Sequence, residues 1–172
     1  MQLEKAVVHG HELFSMYGFS IQYPDTWEVE LNPKADRTAG DVVFKALRHR
    51  IFLSWGSIEQ AKRKHGSLDR HAEAGLKKVR GTTANGDVRK MEIVEHKDIY
   101  VNGHRSIFNR LKVTLRVGFL AMRSAYREIS SVHLYCEETG RFFVLYESVM
   151  DLDSSTGSEA IFQHMKDSFK CH

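Results

Sequence analysis

Cysteine and proline are both scarce in this sequence, with two residues of each among 172. Two cysteines are too few for the disulfide framework of a small secreted protein, so we interpret Cys136 and Cys171 as free thiols. With twelve glycines and two prolines, no stretch has the composition of a low-complexity linker. A chain of this length fits one domain, and we expect residues 1–172 to form a single one.

Long apolar runs are also missing. Val117–Met122 is the longest, and its six residues fall far short of the ~20 that a membrane-spanning helix needs. Charged residues and histidines interrupt the first eighteen positions, unlike the apolar core of a signal peptide. The sequence therefore predicts no membrane association and a cytoplasmic protein.

Charge is present in both signs but is unevenly distributed. The net charge is +3, yet residues 1–44 carry −4, residues 45–127 carry +12 and residues 128–172 carry −5. A basic middle predicts either a positive face or a segment that folds against the acidic ends and is largely neutralised by them. We favour neutralisation and keep the positive face as the alternative.

Alternating apolar and polar residues predict most of the strands. Phe19–Tyr23 and Trp27–Leu31 are interpreted as a hairpin around Pro24 and Asp25, which are typical turn residues. Asn102 and Gly103 predict a second, tighter hairpin. Further strands are expected near residues 42–46, 51–55, 91–101, 110–117, 126–136 and 142–149, the last of them central because residues 142–146 are continuously apolar.

Helical periodicity appears in two places. Ser57 and Ser67 are candidate caps for two consecutive helical segments, the second with an apolar stripe from Leu68 to Val79. A last helix is expected after Thr156–Glu159. The order of strands, helices, strands and helix predicts an α+β fold on an antiparallel sheet. We expect eight side chains in the core: Trp27, Val29, Leu31, Leu53, Leu111, Val113, Leu115 and Val144.

Three segments resemble the PsbP-like superfamily. Tyr17–Trp27 is similar to the GFSF-x-YP-x-x-W opening of that family, while Gly140–Leu145 and Ile161–Lys170 resemble its last strand and last helix. The resemblance implies an antiparallel sheet packed between helices, an αβα sandwich, and binding rather than catalysis. Members include an extrinsic photosystem subunit, DcrB-type lipoproteins and Ran-binding relatives, so the resemblance does not choose a partner.

Residues that could hold a metal or act as nucleophiles are few. His9 and His11 lie two apart, and Cys171 and His172 are adjacent, but neither pair has further ligands at the spacing of known zinc motifs. Whether these four residues bind metal stays open. Cys136 shares its strand face with apolar residues and is interpreted as a buried, inert thiol. We expect no catalytic residues, no cofactor and no resident metal.

Two binding hypotheses follow. The first is a non-enzymatic binding or adaptor domain for a protein partner, or for a second copy of the chain. Its surface would be the connection between two long strands, with apolar anchors and a basic rim: Phe119, Leu120, Met122, Arg116, Arg123 and Arg127. The alternative is nucleic-acid binding through the basic middle, with Arg110, Lys112 and Arg116 contacting phosphates.

Overall fold

A computed structural model describes residues 7–8, 10–46, 49–82, 88–117, 123–150 and 155–172. Its largest element is an antiparallel sheet of seven strands in the order β4-β5-β6-β10-β9-β8-β7. These strands are β4 (Glu28–Leu31), β5 (Gly40–Ala46), β6 (His49–Ser57), β7 (Val88–Val101), β8 (His104–Val117), β9 (Arg123–Cys136) and β10 (Arg141–Met150). β10 is the middle strand, which confirms its predicted central position.

A second, smaller sheet contains the first strands of the chain, β1 (Val7–Val8), β2 (His11–Met16) and β3 (Phe19–Pro24). The turn between β2 and β3 places Tyr17 and Gly18 at φ angles of 53° and 76°. This turn was not predicted, because tyrosine is unusual at a positive φ. Tertiary contacts hold it: the Tyr17 hydroxyl donates to the Ala35 carbonyl at 2.9 Å, and Arg141 Nη1 donates to the Tyr17 carbonyl at 2.8 Å.

The predicted hairpin of Phe19–Tyr23 with Trp27–Leu31 is wrong. β3 pairs with β2, whereas β4 pairs with β5, so the two segments lie in different sheets. The Trp27 amide donates to the Pro24 carbonyl at 3.0 Å in a turn that carries the chain from the small sheet to the large one. Both segments are strands, as their alternation predicted. Their pairing partners, β2 and β5, lie outside the Phe19–Leu31 segment that suggested the hairpin.

Three helices complete the fold. α1 (Ile58–His65) and α2 (Leu68–Thr82) have the predicted caps, with Ser57 Oγ accepting from the Gln60 amide and Ser67 Oγ from the Arg70 amide. α3 (Ser155–Ser168) begins one residue before the predicted cap. Within the described ranges, no helix combines the length and apolar character needed to cross a membrane.

The large sheet is the middle layer. α1 and α2 pack on one face, where Ile58, Ala61 and Ala72 are buried, and the small sheet with α3 covers the other. α3 is joined to β3 by the Ser168 hydroxyl, which accepts from the Gln22 amide at 3.0 Å. This arrangement confirms an α+β fold with an antiparallel sheet between helical layers, to which the small sheet is added.

The predicted core is partly confirmed. Trp27, Leu53, Leu111 and Val113 are buried. The other four residues are only half-buried, which corrects the prediction: Val29, Leu31, Leu115 and Val144. The first two lie on the edge strand β4, and Val144 lines a groove described below. Alternation identifies the inward face of a strand but does not show how completely another layer covers it.

Candidate functional site

A groove lies between α2 and the middle of the large sheet, with a volume of about 330 Å³. Most of its lining is apolar, from four neighbouring strands and the helix above them: Phe52, Leu76, Val79, Leu111, Ile129, Val144 and Tyr146. The helix comes close to the sheet at Gly75, where a Cβ would lie 2.9 Å from His133 Nε2. Glycine at this position therefore lets α2 approach while the groove remains beside it.

His133 lines the groove, and its ring is the first in a row of three histidines. The rings of His65 and His71 stack at 4.6 Å, and His71 meets His133 edge-on at 5.4 Å. Burial lowers the pKa of His133 to about 3 and that of His71 to about 4. Repulsion by His71 and His65 adds to the lowering of the His133 pKa, and repulsion by His65 and Lys64 adds to that of the His71 pKa. These two imidazoles are therefore neutral near pH 7.

The two helices on the face of the sheet that carries the groove are basic. α1 and α2 together contain seven lysines and arginines against three acidic residues. Lys77 and Lys78 are exposed, and Lys78 also lines the groove. Arg127 lies opposite Val113 on β9, on the same face as the groove. An apolar floor with cations around it suits a ligand that is both apolar and acidic.

A second cluster lies at the far end of the sheet, where two hairpins and the last residues of the sequence meet. Its ligand-type side chains are His104, Cys136, Cys171 and His172, whose donor atoms all lie within 4.8 Å of one another. Both cysteines are fully buried. Burial, together with the neighbouring Cys136 thiol, raises the pKa of Cys171 to about 12.

This cluster was not identified as a unit from the sequence. The sequence shows the adjacent pair Cys171 and His172 and predicts the burial of Cys136, but no pattern in it connects His104 with either. The four residues come from the start of β8, the end of β9 and the segment after α3. Because only the strand pairing brings these places together, no spacing rule could have found the set.

The other metal candidate from the sequence, His9 with His11, is only partly described. His9 lies outside the described residues, and the His11 ring stacks on His164 at 4.1 Å. Among the described residues, the group of potential metal ligands does not include His11.

Most of the predicted partner surface lies outside the residues that the structure describes. Phe119, Leu120 and Met122 are not among the described residues. Arg116 lies near the end of β8 and Arg123 begins β9. These two strand ends flank residues 118–122, and the role of the predicted partner surface stays a prediction.

Two of the three predicted phosphate-binding residues, Arg110 and Lys112, lie among carboxylates. Arg110 forms an ion pair with Glu159 of α3, and its Nε lies 3.8 Å from both Glu95 and Glu128. Lys112 pairs in register with Glu92 on one side and Glu128 on the other. Acidic residues from β7, β9 and α3 thus lie beside this basic strand, which agrees with neutralisation rather than an uninterrupted positive face.

Comparison with known proteins defines the fold class. No protein-family model matches the sequence, and no curated protein matches it. Solved structures do match, and they show that the chain has the PsbP-like fold. The solution structure of cyanobacterial PsbP (CyanoP) from Synechocystis sp. PCC 6803 is 16% identical, covering 96% of this chain and 95% of that one, with a TM-score of 0.64.

A second similar structure is the crystal structure of the Ran-binding protein Mog1p from Saccharomyces cerevisiae. It is 10% identical to this chain, with 94% of this chain and 95% of that chain covered and a TM-score of 0.52. Similarity at this level of identity establishes a common fold, which confirms the architecture implied by the sequence resemblance.

Proposed function

We propose that the chain is a non-catalytic, single-domain binding module that recognises a protein partner through the groove under α2. The observation that carries this proposal is the combination of an apolar groove with a basic helical layer around it. A groove of about 330 Å³ has the size of a site that encloses a few apolar side chains. Clustered cations beside such a groove would steer an oppositely charged partner toward it.

The chemistry of the groove specifies the partner. Apolar side chains of the partner would occupy the floor formed by Leu111, Ile129 and Val144. Acidic residues flanking those side chains would meet Lys77 and Lys78 on α2. The proposed partner is therefore an acidic protein segment with apolar anchors.

Two observations support binding rather than catalysis. His133 lines the groove, and its pKa of about 3 is far from the value near the working pH that an efficient general base needs. In addition, Mog1p has the same fold and binds the protein Ran, so the fold can serve protein recognition. The cytoplasm is the proposed compartment, because there Cys136 and Cys171 stay reduced.

The test compares tagged versions of the full chain as baits in extracts of its own cells. Val144→Phe places a ring in the groove, and Lys77→Glu with Lys78→Glu reverses the charge beside it. We expect both variants to lose a protein that the wild type retains. For the recovered protein, we expect at least about a tenfold loss of affinity, corresponding to about 1.4 kcal/mol.

The matched control is Lys34→Glu, an exposed lysine in the loop between β4 and β5. This substitution reverses a charge away from the groove, so the variant should retain the partner. Circular dichroism and thermal melting identify any variant that has lost its fold. A partner retained equally by all variants would show that the groove is not the docking surface.

A further inference from the structure

We propose that His104, Cys136, Cys171 and His172 form a tetrahedral site that binds one Zn²⁺ ion. The proposal is independent of the groove, which lies under α2 and shares none of these residues.

The separations between donor atoms match those around zinc. With Zn–S near 2.3 Å and Zn–N near 2.0–2.1 Å, tetrahedral angles place a sulfur and a nitrogen ligand about 3.6 Å apart. His172 Nδ1 lies 3.6 Å from Cys136 Sγ and 3.3 Å from Cys171 Sγ. All four donors lie within 4.8 Å of one another, so movements on the order of 1 Å complete the coordination.

The donor types also fit zinc. Two cysteines and two histidines form one of the common ligand sets of structural zinc sites, and two thiolates neutralise the charge of the ion. His104 Nε2 is buried and makes no hydrogen bond within the described part of the chain, and its nearest carboxylate oxygen, Glu138 Oε2, lies 3.5 Å away. A buried imidazole nitrogen that lacks a hydrogen bond is costly, and a bound ion at this cluster would account for the arrangement.

One neighbouring side chain supports a ligand. Asn102 Nδ2 donates to Cys171 Sγ at 3.4 Å, and such a donor stabilises a thiolate and orients it toward a metal. Glu138 Oε2 lies 3.5 Å from His104 Nε2 and accepts from the Cys136 thiol at 3.7 Å. The contact with the thiol requires its proton, so it is lost when the Cys136 thiolate binds zinc.

The position of the site indicates a structural role. His104 follows the turn between β7 and β8, Cys136 ends β9, and the other two ligands follow α3. A zinc ion would therefore fasten the segment after α3 to the ends of two hairpins. Four ligands from the protein leave no open position for a substrate, as in structural zinc sites.

The same two cysteines could instead form a disulfide, because their thiols are neighbours. A disulfide would remove both thiolates and prevent zinc binding. The two chemistries are distinguished by a thiol assay under the conditions of the metal titration.

The test uses the full chain, reduced and freed of metal with a chelator, and titrated with Zn²⁺ and separately with Co²⁺. We expect one Zn²⁺ per chain, released thiols on zinc removal, and a higher melting temperature with zinc. Co²⁺ should give the visible bands of tetrahedral coordination and a thiolate-to-cobalt charge-transfer band.

His172→Ala is the main variant, because this side chain is exposed and its loss should leave the fold intact. It should weaken zinc binding at least about tenfold, and Cys171→Ser should remove part of the charge-transfer band. His11→Ala is the matched control, a histidine outside the cluster, and should bind like the wild type. Substoichiometric binding, an unchanged affinity in His172→Ala, or a Cys136–Cys171 disulfide that persists in the reduced sample would each overturn the proposal.

Discussion

His133 lies under α2 with its imidazole buried, and that burial determines its charge. The pKa is lowered to about 3, well below the ordinary value of 6.5. Between these two values the unfolded chain binds a proton that the folded chain does not. The free energy of unfolding therefore falls as the pH is lowered through this range.

At the residue scale we predict a pH dependence of stability that His133 causes. Between pH 6.5 and pH 4 the wild type should lose up to about 1.4 kcal/mol of unfolding free energy per pH unit from this residue. His133→Asn removes the titrating group and should make the slope shallower. Urea unfolding at a series of pH values measures the slope of the unfolding free energy against pH.

The control for this prediction is Ser131→Ala, which changes a neighbouring position of β9 without removing a titrating group. It should keep the slope of the wild type. Equal slopes in His133→Asn and the wild type would show that folding does not lower the pKa of His133.

At the scale of elements, β2 differs most from the interpretation of the sequence. The segment before Tyr17 was not assigned a strand, yet Phe14 and Met16 of β2 are buried in the largest core cluster. The Phe14 ring packs edge-on against Phe44 at 5.7 Å, which connects the small sheet to the large one. β2 is therefore part of the core rather than an appendage.

We predict that Phe14→Ala destabilises the chain by about 3–5 kcal/mol, as expected for removing a fully buried aromatic ring. Ser15→Ala, at the next position but on the other side of the strand, should change stability by less than about 0.5 kcal/mol. Denaturant unfolding monitored by fluorescence measures both. A small effect of Phe14→Ala would mean that β2 is not packed as described.

At the scale of the whole molecule, the basic middle of the chain does not form one uninterrupted field. Its helical part lies beside the groove, whereas its strand part is placed among carboxylates of β7, β9 and α3. Arg110 in particular is shared between Glu159, Glu128 and Glu95. Net charge per segment in the sequence therefore overstates the charge that a strand face presents to a ligand.

We accordingly predict that the chain does not bind single-stranded RNA at ~50 mM salt, a condition that favours electrostatic binding. Fluorescence anisotropy with a labelled oligonucleotide tests this expectation. Salt-sensitive binding that disappears when Lys112→Glu is combined with Arg116→Glu would restore the nucleic-acid alternative.

Local patterns in the sequence determined many of the elements. Alternation predicted most of the strands, and serines at the capping positions predicted the starts of α1 and α2. Asn102 with Gly103 predicted a tight turn, which their φ angles of 47° and 79° confirm. Each of these features depends on interactions among residues close in sequence. The inward faces of β6 and β8 were predictable for the same reason.

Only the tertiary structure decided which strands pair and which distant side chains meet. β3 pairs with β2 rather than β4, because the burial of Phe14 and Ile21 between two sheets favours that pairing. The groove depends on how α2 lies across the sheet. The four proposed zinc ligands assemble only once the start of β8, the end of β9 and the segment after α3 come together. Contacts between residues so distant in the chain leave no periodic signal in the sequence.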